Sequence, residues 1–577
     1  MAESTSMGLS GAAAPAARTD RSATAALGKW LRGYGAIIAA YVAVTSMTDA
    51  YYMGDTGAYA NLILFGRLFD FGHPLWLLLG WKAAALLQPL TGLDARTGTI
   101  FTLVALGWLA GLLSAVLVYS LSLRVARRAR VAAFVTAAFI FTQGFLNFAQ
   151  TGCSYIPGLA LVLLGLWLLF REEDKERHAV AGGVAAGLAF SGAVGLWVPY
   201  VLTIPAVLVS TLLIFGWSAR RARVALGAAV AFGLATALFF GAVAALNGIH
   251  DVAGFKEWAL AGGQSITHIN GFNRMVFGFA RSFINMGNDG VLFKRYLLHD
   301  PYNPVSFADL LRFSLGKFLL FYACLAVWLA ALLGSEKGRR FFLFLAASAL
   351  PVMVFAWRWQ GGDMERYLPL YPALFLALAC VLSAAPYALL SRAAAAVWLI
   401  AVVYFNAGAM AKTTLAQRQN RVAANIQALQ PLWKPHSHIA TVLIQDDVFA
   451  FPWNFPFHPI STKGILAYSD RERLPAVIDI VDRGSAESPR WRQAFAKQAL
   501  AIWSAGGDLW VAKGALASRP AADSAWVEGD DPRLAWRDVC GFFSALEAGT
   551  SVGGEDGFFL LPANAKNRGV LTRWSRS

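Results

Sequence analysis

The sequence predicts a polytopic α-helical membrane protein with about 11 transmembrane helices, followed by a C-terminal α/β segment. The chain of 577 residues is 57% hydrophobic and only 14% charged. Its mean hydropathy is +0.52, an apolar excess that a soluble chain with a polar surface does not need. Apolar runs of membrane-spanning length recur between residues 30 and 411. Beyond residue 411 the pattern changes to short β-rich runs, "HIATVLI" (438–444), "AVIDIVD" (476–482), "DLWVA" (508–512) and "GFFLL" (557–561), alternating with helix-like stretches such as 488–505. Strand and helix in alternation define a small α/β domain. It holds neither a GxGxxG nor a P-loop.

The net charge of +15 does not point to nucleic acid, because most Lys and Arg stand in short loops between apolar runs, where they orient a membrane protein. The four cysteines, Cys153, Cys324, Cys380 and Cys540, are scattered without a CxxC pair, so neither a disulfide framework nor a zinc site follows. Residues 1–29 are rich in Ala, Ser, Thr and Gly and read as a disordered cytoplasmic tail.

The runs 30–48, 99–122, 131–149, 156–170, 179–197, 200–216, 224–246, 313–334, 341–357, 367–384 and 393–411 are read as spans. Residues 73–90 are instead laid in the membrane interface. With that choice, loops 124–130, 171–178, 217–223, 335–340 and 385–392 fall on one side and carry fourteen Lys/Arg, while loops 150–155 and 197–200 opposite carry none. By the positive-inside rule the N-terminus is cytoplasmic. Loop 49–98, loop 247–312, the short loop 358–366 and the tail 412–577 then share the outer side. Chemistry-bearing residues collected on one face point to an active site, since a channel needs polar groups through its depth.

The stretch "YYMGDTGAYANLILFGRLFDFGHPLW" (51–76) follows the first span. Asp49 and Asp55 stand at its outer lip, where a carboxylate is partly desolvated. Asp55 has two readings: the N-cap of a helix beginning at Thr56, or a carboxylate kept for chemistry. Residues 57–70 are compatible with a helix lying flat in the interface, broken at His73-Pro74. A second interfacial helix, 75–88, carries Trp76 and Trp81, the residue type favoured at headgroup depth.

Span, Asp, amphipathic helix, "HP", second amphipathic helix and a span ending in a basic loop together resemble the GT-C superfamily of membrane glycosyltransferases. The likeness is to bacterial relatives of protein O-mannosyltransferases and aminoarabinose transferases. "GDTGAY" and "GHPLW" stand where those families carry "D-(S/T)-G-E"-like and "H-P-P" segments; Ala58 replaces the acidic residue and Leu75 the second proline. The resemblance implies a multi-pass protein of the bacterial inner membrane. It would move a sugar from a polyprenyl-phosphate donor to a glycan, lipid or protein acceptor, with inversion. Asp55 matches the motif position of the base and Asp49 is the fallback; His73 would contact substrate. The metal is unknown: a hard divalent cation, Mg or Mn, would fall to Asp49 and Asp55 if one binds.

A phosphate leaving group calls for cations at the same depth. "RWQGGDMERYLPLYP" (358–372) supplies Arg358 and Arg366, with Asp363 and Glu365 between them and Gly361-Gly362 permitting close approach. The bland reading is that these charges pair with one another and anchor helix ends. "FKRYLLHDPYNP" (293–304) adds Lys294 and Arg295 as further phosphate candidates. The aromatic loop "FAFPWNFPFHP" (449–459) reads as dipping toward the membrane or the acceptor. The main alternative is a transporter or flippase of lipid-linked glycans, or another polysaccharide-assembly protein. A transporter needs ionisable residues at mid-membrane depth, and the spans carry almost none.

Overall fold

The computed structural model describes residues 33–46, 55–93, 95–171, 179–261, 271–286, 296, 306–384, 388–408, 424–441, 477–479, 491–513, 542–554 and 557–576. Among the described residues, six helices are long and apolar enough to cross a membrane: Gly98–Ala126, Ala219–Leu246, Gly316–Leu333, Glu336–Arg358, Met364–Ser383 and Ala388–Ala407. Gly33–Ser46, Ala129–Ile140, Tyr155–Arg171 and Val180–Leu196 are shorter apolar helices. Large apolar side chains such as Leu234, Leu238, Leu350 and Ile400 stay exposed on these elements, as expected of surfaces that face lipid.

We label the first part of the chain α1 (Gly33–Ser46), α2 (Thr56–Leu64), α3 (Pro74–Thr91), α4 (Ala95–Ala126), α5 (Ala129–Ile140), α6 (Gln143–Phe148), α7 (Tyr155–Arg171) and α8 (Ala179–Leu196). Three boundaries differ from the sequence reading. The flat helix expected over 57–70 stops at Leu64, because Gly66 turns the chain at φ +69°, a backbone region that favours glycine. Pro74 therefore does not break that helix but opens the next, at N1, where its missing N–H costs nothing. The run 131–149 is two helices: the chain turns at Phe141-Thr142, and the Thr142 hydroxyl donates to the Phe139 carbonyl at 2.8 Å. The run 200–216 is three short helical pieces, Val198–Leu202, Ile204–Leu208 and Ser210–Phe215; the first two carry prolines in their opening turns, and proline cannot continue a preceding hydrogen-bond ladder.

Close packing depends on small residues. On α8, Gly183 and Gly187 lie four apart against Ala219–Leu246. A Cβ on Gly183 would meet the Val224 carbonyl at 2.5 Å, and one on Gly187 would overlap that of Ala228. This is the small-xxx-small device by which membrane helices bring their backbones together. Ser218 and Ser335 cap the helices that follow them, accepting from the amides of Arg221 at 3.2 Å and Gly338 at 3.0 Å. The Met364–Ser383 segment is the innermost of the long apolar ones, buried along almost all of its length, and Ala219–Leu246 is the most exposed of them.

Among the described residues the C-terminal part carries a five-stranded sheet: β1 (His438–Thr441), β2 (Val477–Asp479), β3 (Leu509–Ala512), β4 (Ser551–Val552) and β5 (Phe558–Leu561), in the order β2-β1-β3-β5-β4. β1 runs parallel to β2 and β3, with Ile439 opposite Trp510, and β5 runs antiparallel to β3 and β4. Helix Trp491–Ser504 lies between β2 and β3 in the chain, the crossover that a parallel arrangement requires. These strands fall inside the four β-rich runs, with the dipeptide β4 added. The 449–459 loop lies outside the described residues.

Candidate active site

Asp55 occupies the N-cap position of α2, yet its side chain makes no capping bond. The carboxylate faces the connection between α6 and α7 instead. Its Oδ2 accepts from the Tyr155 hydroxyl at 2.7 Å and from the Tyr59 hydroxyl at 3.4 Å. Among the described residues Oδ1 has no hydrogen-bond partner. Tyr59 stands one turn along α2 from Asp55, with its amide donating to the Asp55 carbonyl at 2.8 Å. That places its hydroxyl between Asp55 and the imidazole of His73, whose Nε2 is 2.9 Å away. His73 Nδ1 pairs with Ser154 Oγ at 2.7 Å.

Further bonds join the same two stretches. The Gly152 amide donates to Thr56 Oγ1 at 2.9 Å, and Trp76 Nε1 donates to the Gly152 carbonyl at 2.9 Å. A Cβ on Gly152 would stand 2.7 Å from Leu103 Cβ and 2.8 Å from Thr56 Cγ2, so only glycine fits between α2 and α4 there. Tyr155 is held in turn: its carbonyl accepts from the Tyr200 hydroxyl at 2.6 Å, and its ring lies 4.8 Å from Trp197 and 4.9 Å from Phe148.

Burial sets the protonation of this cluster. It lowers the pKa of His73, against the opposing pull of Asp55 and Asp70, so the ring is held toward its neutral form. Burial, then the Asp55 charge, raises the Tyr59 hydroxyl. The same two causes push the Cys153 thiol up to about 12, which keeps it protonated and unreactive.

Acidic and basic groups from the 358–366 connection complete the site. Arg366 donates to Gln360 Oε1. It also lies 3.5 Å from Asp363 and 3.9 Å from Glu365, with all three side chains nearly covered. Its guanidinium stands 5.4 Å from the Trp359 ring, within range of a cation–π contact. Burial raises the Asp363 carboxyl, opposed by Arg366 and Arg281.

Helix Phe272–Phe283 braces this connection from behind. Arg281 donates to the Gly362 carbonyl at 3.4 Å, and Ser282 Oγ donates to that of Met364 at 2.8 Å. Gly278 and Gly361 touch so closely that a Cβ on Gly278 would overlap the Gly361 carbonyl oxygen. The Met364–Leu370 turn, which carries Glu365 and Arg366, packs against α6 and α7 and so brings this connection toward the Asp55 cluster.

Of the residues singled out from the sequence, the structure brings Asp55, His73, Asp363, Glu365 and Arg366 together. Arg358 ends its helix exposed, with its guanidinium 5.2 Å from the Trp357 ring. Asp49, Lys294 and Arg295 lie outside the described residues. The sequence reading did not single out Ser154, Gln360 or Tyr155, and it gave no role to Tyr59 or Arg281. For Ser154 and Tyr155 the one signal was position, since "TGCSY" (151–155) belongs to an outer loop that carries no Lys or Arg. As for a metal, no three His, Cys, Asp or Glu side chains gather as a possible ion-holding group among the described residues. Asp363 and Glu365 face Arg366, Asp55 Oδ2 is taken by tyrosine hydroxyls, and Asp49, the other carboxylate considered for a cation, lies outside the described residues.

Fold and site define a class: a multi-pass helical membrane protein with an Asp–His–Arg centre built from the connections between its helices. No protein-family model matches the chain, and no curated protein does either. Among solved structures it is similar to ArnT from Cupriavidus metallidurans bound to undecaprenyl phosphate, at 15% identity and a TM-score of 0.49, covering 93% of this chain and 98% of that one. It is also similar to an Archaeoglobus fulgidus oligosaccharyltransferase in complex with Zn and sulfate, at 12% identity and a TM-score of 0.44, covering 90% of this chain and 73% of the other. A third is the arabinofuranosyltransferase AftD from mycobacteria, at 13% identity and a TM-score of 0.46, covering 93% of this chain and 40% of that one.

Proposed function

We propose that the chain is a membrane glycosyltransferase that moves a sugar from a polyprenyl-phosphate donor to an acceptor hydroxyl outside the cytoplasm, with Asp55 as general base. The observation that carries this reading is the Asp55 carboxylate: placed at an N-cap, it forgoes the cap and is held by Tyr155 instead. An acceptor hydroxyl must shed a proton as its oxygen attacks the anomeric carbon. A carboxylate oxygen within about 2.6–3.2 Å can take it, and Oδ1 is the oxygen left for that task. The attacking oxygen forms the new C–O bond while the bond to the phosphate oxygen breaks. The electron pair leaves with the polyprenyl phosphate, whose growing charge Arg366 would meet. A single displacement of this kind inverts the anomeric centre.

In this reading residues 30–411 form the catalytic membrane domain with eleven spans, the 1–29 tail is cytoplasmic, and 412–577 form an extracytoplasmic domain. A bacterial inner membrane supplies donor and acceptor, and Lys294, Arg295 and Arg358 remain candidates for the lipid phosphate. The test is mass spectrometry of envelope and lipid-linked glycans in a deletion strain. The strain is complemented with wild type or with Asp55→Asn at matched expression. A sugar that disappears in the deletion, returns with wild type and falls about 10²–10⁴-fold in initial transfer rate with Asp55→Asn supports the base. Full restoration by Asp55→Asn removes it.

A further inference from the structure

Asp55 lies in the first outer loop, but the groups that hold it do not. Tyr155 is 100 residues further along the chain and opens α7. It donates the shorter of the two bonds that Oδ2 receives. The second runs through Tyr59, which is fixed by His73, which is fixed by Ser154. Both routes therefore end in adjacent residues, Ser154 and Tyr155. That stretch is itself immobilised by the bonds of Gly152 to Thr56 and Trp76 and by the Tyr200 hydroxyl on the Tyr155 carbonyl. Rings of Phe148 and Trp197 flank the Tyr155 side chain. A phenol packed on two sides with its backbone pinned points one way. Its hydroxyl sets the rotation of a carboxylate that has no capping bond to set it.

From this arrangement we infer that residues 150–155 are a second catalytic loop, in which Tyr155 is the positioning residue for the base and Ser154–His73–Tyr59 its auxiliary brace. The inference rests on Asp55 being the base. It adds that the two carboxylate oxygens have separate duties: Oδ2 is the anchored oxygen and Oδ1 the working one. The acceptor hydroxyl is then delivered on the side away from Tyr155. The leaving phosphate lies toward Arg366, whose turn packs against α7, the helix that Tyr155 opens. Holding reacting groups in near-attack geometry lowers the barrier without tightening substrate binding in the ground state. Misplacement by about 1 Å costs on the order of 10²-fold.

The experiment uses the full-length protein in nanodiscs. The lipid-linked sugar pool extracted from the source membranes is titrated as donor, and source envelope material serves as acceptor. Wild type, Asp55→Asn, Tyr155→Phe, Tyr59→Phe and Ser154→Ala are compared for kcat and for donor KM, with thermal unfolding as the check on folding. Tyr155→Phe keeps the ring and its packing. It is expected to lower kcat by about 10²-fold with donor KM within twofold. Tyr59→Phe and Ser154→Ala are expected to lower kcat by smaller factors, because the bond they support is the longer one, again without moving KM.

If Tyr155→Phe turns over at the wild-type rate while Asp55→Asn is inactive, the positioning role is wrong and the base stands. If Asp55→Asn keeps full activity, the base falls and the positioning role with it. Should Tyr155→Phe fail to fold, Tyr59→Phe and Ser154→Ala decide: both at the wild-type kcat overturn the inference, and a fall in kcat at constant KM supports it.

Discussion

Replacing Arg366 by methionine is expected to destabilise the protein by up to about 4 kcal/mol at pH 7 through Asp363 alone, and by far less in mild acid. The guanidinium stands 3.5 Å from Asp363, with side-chain exposures of 13% and 10%. At an effective dielectric of about 20 that separation corresponds to an attraction of about 5 kcal/mol. Removing the cation leaves a carboxylate in a site that already disfavours its charge. The molecule has a cheaper escape, which is to protonate the acid. At pH 7 that costs about three pH units for a carboxyl with an unfolded pKa near 3.9, or about 4 kcal/mol at ~1.4 kcal/mol per unit.

The smaller figure is the ceiling on the penalty, because burial already raises Asp363 with Arg366 beside it. Its sign follows from burial, which raises Asp363 above its ordinary value. Without Arg366 the folded state keeps a proton that the unfolded state releases, so the penalty grows as pH rises above about 4. At pH 5 about 1.5 kcal/mol remains. Thermal unfolding of Arg366→Met in nanodiscs at pH 7 and pH 5, followed by tryptophan fluorescence, measures the difference. The double variant with Asp363→Asn should recover most of the loss. An Arg366→Met penalty that is the same at both pH values, or absent at pH 7, would refute the reasoning.

Three further outcomes follow from the same geometry. His73 is held toward its neutral form by burial, so its folded pKa lies below the unfolded one; stability from this group is present above about pH 6.5 and drains away as the pH falls. His73→Gln should flatten the loss of thermal stability between pH 6.5 and pH 5, and an unchanged slope sinks the assignment. Gly278→Ala sets a methyl against the Gly361 carbonyl oxygen and should cost about 1–3 kcal/mol by forcing the two backbones apart; a thermal shift near zero would contradict that packing. Cys153, buried with its thiol pushed up to about 12, should resist iodoacetamide at pH 8 in the native protein, and rapid labelling counts against the burial.

Much of the fold was legible because its strongest determinant is one-dimensional. A helix that crosses hydrocarbon must be apolar for its whole length, and the long helices Gly98–Ala126, Ala219–Leu246 and Glu336–Arg358 announce themselves that way. The strands were legible for a related reason, since "HIATVLI" and "GFFLL" are β-branched and aromatic runs too short for a helix. Where the reading slipped, a local backbone event decided the outcome without changing the composition. Gly66 ends α2 six residues early, and Thr142 splits an apolar run that hydropathy treats as continuous.

The site divides along a different line. Asp55, His73 and Arg366 could be singled out as candidates because a charge or imidazole at the edge of an apolar run is costly, and so informative. Tyr155 could not. A tyrosine at the start of an apolar helix is ordinary at a membrane interface, and nothing in residues 151–155 signals that they meet residue 55. The meeting depends on tertiary facts: Gly152 is small enough to admit α2 and α4, and Thr56 offers its hydroxyl to the Gly152 amide. A membrane interior amplifies the asymmetry. Charges there are few, so they stand out. The neutral hydroxyls that orient them are chosen for geometry, and geometry between residues a hundred apart is not written in local pattern. Further positioning residues in this chain should therefore be sought among its uncharged polar side chains around Asp55 and Arg366, ahead of the remaining Lys and Arg.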